Sequence, residues 1–397
     1  DYYGWLRATI PAVGQSLDIP NIEPRVSLVR IDANKCRLEA GAEPSAEFKL
    51  ASSPQVITVM RMHDDGVKRE YAIELFVGSE ESEYQGVAIN LIPTATGGAY
   101  FYRSLAKVEF DTDYGLVTIY DTNNDGKFGY QEMKLAWCEG LLPNEWFWRP
   151  DSVTINKQKT AQPFSRYIFG DKGQWFELST SSDINPSSIT LTPVSPTLGE
   201  IEFSYKGVKK LKPVSVLIAS ESSATKGLTI DLMALPKKKS IPIGRYKFLQ
   251  AKFSGKDGAE ALVLPDANKI MLFDVTAEGD APELFIGGKF KLATNISLSA
   301  NVIEVDGRSL HLVGESGERW LRFVGAPLFD VEVAVSGVKP SLLATPTTDE
   351  VSELWDRFFY PMSASLELRK AEAEVDVTLI CKKHPWFGNI KTIVSVK

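Results

Sequence analysis

The sequence predicts an all-β protein: multidomain, built of antiparallel β-sandwiches of immunoglobulin-like kind, with a few short helices. Three observations carry this expectation. Apolar and polar residues alternate in short runs from about residue 25 to the end, the period of a strand with one buried face. Asp-Gly pairs, which tolerate positive φ, punctuate the runs. Prolines fall between the runs rather than inside them, where a residue without an N–H breaks no sheet hydrogen bond.

In chain order, residues 1–27 differ from the rest. "RATIPAVGQSLDIPNIEP" holds three prolines and no alternation. It reads as an extended arm or linker, and an arm could self-assemble by adding a strand to a neighbouring subunit. Next, "VITVMRM", "HDDGV" and "KREYAIELFV" read as strand, turn and strand. The same device is expected at Asp257-Gly258, between "YKFLQAKF" and "AEALVL", and at Asp306-Gly307, between "LSANVIEV" and "RSLHLV". Helical periodicity is scarce. A short helix is expected through "YQEMKLAWCEG", and another near 348–360. There Thr347 and Glu350 form a capping box, Val351, Leu354, Trp355 and Phe358 share a face, and Pro361 ends the helix. The expected division is an arm at 1–27, a β domain at 28–158, and sandwich domains at 159–277 and 278–397.

Composition narrows the function. With 44% hydrophobic and 24% charged residues, the chain of 397 can bury real cores. A net charge of -7 argues against nucleic acid as the main partner, because phosphate binding needs a basic face. Lys209, Lys210 and Lys212, and Lys237 to Lys239, read as solvated loops or edge protection. Apolar runs fall well short of the roughly 18 residues of a transmembrane helix. The chain starts at Asp1, as a processed secretory N-terminus or an artificially trimmed chain would. Three cysteines make no disulfide framework, although one pair could form. Cys381 and His384 have ligand-like spacing, but zinc needs four ligands and no second pair is evident; a hairpin corner at Pro385 and Gly388 is the expectation. Trp146, Phe147 and Trp148 could stack on a polysaccharide or fill a core.

The stretch that looks like chemistry is "DTNNDGKFGYQE", which follows the strand-like "YGLVTIY". It has the D-x-N-x-D-G-x5-E spacing of an EF-hand loop. Calcium wants six to eight oxygens, and alternate loop residues supply them: Asp121, Asn123, Asp125, the carbonyl of Lys127, and Glu132 with two. Gly126 permits the turn and Phe128 anchors it, while Asp111 and Asp113 could add charge. An Asn/Asp/Gly-rich hairpin tip that needs no metal is the alternative. One loop behind a strand suits a structural ion better than a switch, since sensors reorient paired helices.

The chain resembles a loose group of large secreted bacterial β-sandwich proteins. The resemblance lies in "YDTNNDGKFG", "FSRYIFGDKGQWFELSTS", "IPIGRYKF", "IEVDGRSLHLVGESGERW" and "APLFDVEV", in pieces from about 105 to 335. It implies secretion, immunoglobulin-like sandwiches and calcium at Asp121, Asn123 and Asp125, and no activity. The expected function is therefore a non-enzymatic structural component of a cell surface or extracellular matrix. A carbohydrate-binding protein, or a hydrolase whose carboxylates come from distant strands, is the alternative.

Overall fold

The structure, a computed structural model, describes residues 6–397 apart from 20–21, 23–24, 63–65, 78–81, 85–86, 90–98, 129–135, 138–145, 148–149, 157, 159, 171–172, 183–185, 238, 256–258, 267–270, 325–329, 344–363 and 369–372. The fold is all-β, with 60% strand and 1% helix. Among the described residues the helical element is a single 3-10 turn, Ser223–Thr225. The helix expected near 348–360 lies outside the described residues.

Among the described residues two large apolar cores organise the sheets. The first is walled by a five-stranded sheet in the order Leu6–Thr9, Ala99–Ser104, Lys68–Val77, Gln55–Met62, Gly41–Glu43. A four-stranded sheet contributes from the other side: Lys107–Thr112, Gly115–Tyr120, Ser152–Ile155, Gln162–Pro163. Leu28, Val59, Ile73, Leu75, Tyr100, Ile119 and Val153 meet between them. Alternation explains the choice of face: Tyr71, Ile73 and Leu75 point inward from one strand while Glu70 and Glu74 do not.

The second core lies beneath a nine-stranded sheet and the four strands Ser341–Leu342, Val331–Val335, Val375–His384 and Gly388–Val396. Trp320, with no exposed surface, sits at its centre, stacked on Phe253 at 5.0 Å and met edge-on by Phe290 at 5.3 Å. Among the described residues one pairing departs from the antiparallel expectation: Leu198–Lys206 runs parallel to Glu283–Gly287.

Three local expectations change. Residues 6–9 of the N-terminal segment pair with Ala99–Ser104, and Ser16–Asp18 pairs with Ser27–Arg30. Ile10 and Ile19 are buried in the first core. The described part of the segment thus pairs as strand within its own chain and is held by apolar residues beside its prolines. Asp306-Gly307 is no hairpin tip. Val302–Val313 is one continuous strand, and the turn falls at Ala300-Asn301, between the paired Ser299 and Val302. Asp306 instead opens a bulge opposite Thr294, where its carbonyl accepts bonds from Thr294 and Ser309 hydroxyls. Within the expected helix "YQEMKLAWCEG", Ala136–Trp137 is extended and pairs with Trp146–Phe147.

The first core continues through Ile168, Phe176 and Leu191, past residue 158. On strand Trp175–Thr180, Phe176 and Leu178 face the first core and Trp175 faces the second, as the two-residue period of a strand requires.

Candidate metal centre

Strand Gly115–Tyr120 runs antiparallel to Ser152–Ile155, with Tyr120 opposite Ser152. The next residue of one strand and the preceding residue of the other, Asp121 and Asp151, therefore leave the sheet side by side. From Asp121 the chain turns sharply, with Asn124 and Gly126 at positive φ of 61° and 77°. Asn and Gly are the residues that adopt this conformation at least cost.

Hydrogen bonds fix the loop from within. The Asp121 carboxylate accepts the backbone N–H of Asp125 at 3.1 Å and of Gly126 at 3.0 Å. Asn123 Oδ1 accepts the Asp125 N–H at 2.8 Å, and Asp125 Oδ1 accepts that of Lys127 at 2.9 Å. Asp151 Oδ1 accepts the Thr122 N–H at 3.2 Å, and Thr122 Oγ1 donates to the Pro150 carbonyl at 2.9 Å. Phe128 is buried in the first core, as expected for an anchor.

The loop is also tied to the five-stranded sheet. Tyr71 Oη donates to Asp121 Oδ2 at 2.6 Å, and Asn124 Oδ1 accepts the Ser104 N–H. Arg61, fully buried, stacks over the Tyr71 ring at 4.2 Å and points Nη2 at the Gly126 carbonyl at 3.4 Å. The centre therefore sits where the two sheets of the first core meet.

Carboxylate oxygens of Asp121, Asp125 and Asp151 lie within 4.8 Å of one another. Among the described residues this is the one group of three or more His, Cys, Asp or Glu that could hold a metal ion. Asp121 and Asp151 are buried and Asp125 is half-buried. Burial, and then the charge of Asp125, push the Asp121 carboxyl up to about 6, against the hydrogen bonds from Tyr71 and Gly126 that favour its ionised form. Three carboxylates, with the Asn123 amide oxygen beside them, form a set of hard oxygen donors, suited to a hard cation.

Of the residues expected from the sequence, Asp121, Asn123, Asp125 and Lys127 share this loop. Asp121 and Asp125 enter the carboxylate cluster, and Lys127 supplies its backbone N–H to Asp125. Glu132 lies outside the described residues. Asp111 does not add charge here: it pairs with Leu116, and it is Lys107 that lies opposite Tyr120 beside the loop. Four residues of strand, about 13 Å, separate Asp111 from that end.

The third carboxylate is Asp151, which the loop motif does not contain. Its signal in the sequence was weak: an Asp ahead of the alternating "SVTI", recognisable only once that strand is paired with "GLVTIY". Elsewhere, Cys381 and His384 form the expected hairpin corner. Both are buried, the Trp386 N–H reaches His384 Nδ1 at 3.2 Å, and burial pushes the Cys381 thiol up to about 11. The side chains of Trp146, Phe147 and Trp148 lie outside the described residues. No family model, curated protein or solved structure matches this chain.

Proposed function

We propose that this is a secreted, non-enzymatic structural protein of a bacterial cell surface or extracellular matrix. In this reading it is a fibre, surface-layer or adhesion component, in which calcium held by Asp121, Asp125 and Asp151 clasps the sheets of the first core. The observation that carries the reading is the position of the centre. Asp121 comes from the four-stranded sheet and is bonded to Tyr71 of the five-stranded sheet at 2.6 Å, so an ion there joins the two. A catalytic metal needs an open position for substrate. Here the first carboxylate is 1% exposed and both its oxygens already accept hydrogen bonds, a geometry for holding rather than exchanging. Calcium fits best among hard cations, because the loop offers many oxygens in irregular geometry and magnesium demands a strict octahedron.

A glycan-binding alternative calls for exposed coplanar rings. Among the described residues the half-buried aromatics Phe290 and Phe387 meet edge to face at 77°, and Trp386 is tilted at 52° to Phe387, so the three form no flat platform.

Two measurements test the reading. Purified chain, stripped with a chelator and then given calcium, should gain thermal stability with calcium; an unchanged melting temperature removes the clasp. Electron microscopy and sedimentation of concentrated protein with calcium should show ordered assemblies. A monomer at every concentration overturns the structural assignment.

A further inference from the structure

Among the described residues Arg61 is the one buried Arg or Lys, with no exposed surface. A guanidinium withdrawn from water costs several kcal/mol unless its charge is offset. Directed hydrogen bonds do little of that here. Nε and Nη1 have no hydrogen-bond partner, and Nη2 lies 3.4 Å from the Gly126 carbonyl, at the long limit of a bond. Its offset comes through space. Besides Tyr71, on which it stacks, the charges acting on it are those of Asp121 and Asp125.

Three carboxylates and one guanidinium share this corner of the core. With all four ionised, the group carries two negative charges, the complement of one divalent ion. Without Arg61 it would carry three. We propose that Arg61 biases the charge of the ion the centre accepts: it subtracts one unit from the charge of the aspartates, and so disfavours a trivalent cation relative to a divalent one. The proposal rests on the metal reading of the three aspartates. It adds a role for a residue that touches no ligand position and acts through the field alone.

The test compares calcium with terbium(III), whose size is similar and whose charge is one unit higher, by titration followed with terbium luminescence and calorimetry. Arg61→Met keeps much of the volume and removes the charge, while Arg61→Lys keeps the charge and loses the planar stack on Tyr71. Removing one unit charge at an effective dielectric of about 20 changes the relative affinity of two ions differing by one unit by roughly tenfold or more. The expected result is a terbium-to-calcium affinity ratio at least tenfold higher in Arg61→Met and close to wild type in Arg61→Lys. If both variants shift the ratio alike, or neither does, Arg61 acts by packing and the proposal is overturned.

Should Arg61→Met fold only with an ion, the concentrations of the two ions needed to refold it give the same ratio. Should it fold with neither, Asp151→Asn supplies the opposite arm: Arg61 stays, one negative charge is lost, and the ratio should fall about tenfold. An unchanged ratio there overturns the charge argument. Wild type that binds neither ion sinks the metal reading itself, whereas calcium binding with unchanged ratios sinks only the role of Arg61.

Discussion

Replacing Asp151 by Asn separates a metal centre from a hydrogen-bonded loop, because the two readings give effects of opposite sign. Oxygens of the three carboxylates lie within 4.8 Å of one another. At that separation two unit charges repel by about 3.5 kcal/mol at an effective dielectric of about 20. Without an ion, burial and then the charge of Asp125 push the Asp121 carboxyl from 3.8 to about 6, so its protonation relieves part of the strain. That shift corresponds to about 3 kcal/mol of lost stability above pH 6. Asn at 151 removes one source of repulsion and keeps an oxygen to accept the Thr122 N–H. The stripped variant should therefore melt no lower than stripped wild type, and up to a few degrees higher.

With calcium the order reverses. Wild type at a hundred times its dissociation constant gains about 2.7 kcal/mol. For a unit of 150–250 residues that raises the melting temperature by about 5–10 °C. The variant, short of one charged ligand, should lose most of that increment. The assay is calorimetric or circular-dichroism melting of both proteins with chelator and with excess calcium. A variant that melts lower without metal and keeps the full calcium increment would refute the reasoning, and would make Asp151 a hydrogen-bond acceptor for Thr122 and nothing more.

Two further outcomes follow from the same geometry. Because the Asp121 pKa is higher folded (about 6) than in the free side chain (3.8), its contribution is fully present below pH 3.8 and is lost as pH rises through 6. Metal-stripped wild type should thus gain up to about 3 kcal/mol more than Asp121→Asn between pH 7 and pH 4, read from urea midpoints, and parallel profiles would contradict it. In the second core, Trp320→Ala deletes a fully buried ring stacked on Phe253 at 5.0 Å and should cost about 3–5 kcal/mol. The calcium increment of the first core should be unaffected, since distant sites act independently; loss of both together would mean that the cores unfold as one unit.

The strands were legible where a strand shows one face to a core. "KREYAIELFV" alternates, and Lys68–Val77 is a strand with Tyr71, Ile73 and Leu75 inward. The two strands flanking Asp257-Gly258 were legible too, with Ser254 paired to Glu260, while the Asp-Gly pair itself lies outside the described residues. Asp306-Gly307 carries the same signal and misled, because bonds from Thr294 and Ser309 to the Asp306 carbonyl stabilise a bulge that local sequence does not announce. The N-terminal segment lacks alternation, yet Ile10 and Ile19 bury against residues far along the chain; proline-rich composition reports on local stiffness and not on docking.

What the sequence by itself determined is the all-β class and the loop from Asp121 to Phe128, because both depend on neighbours in the chain: a period of two, and side chains capping the N–H groups two to five residues on. Only the tertiary structure decided that Asp151 completes the carboxylate cluster and that Tyr71 and Arg61 lie against the same loop. Asp151 arrives through the pairing of Tyr120 with Ser152, and Tyr71 and Arg61 through contact of two sheets. Such contacts are fixed by register and burial over the whole core, so no window of sequence around the loop contains them.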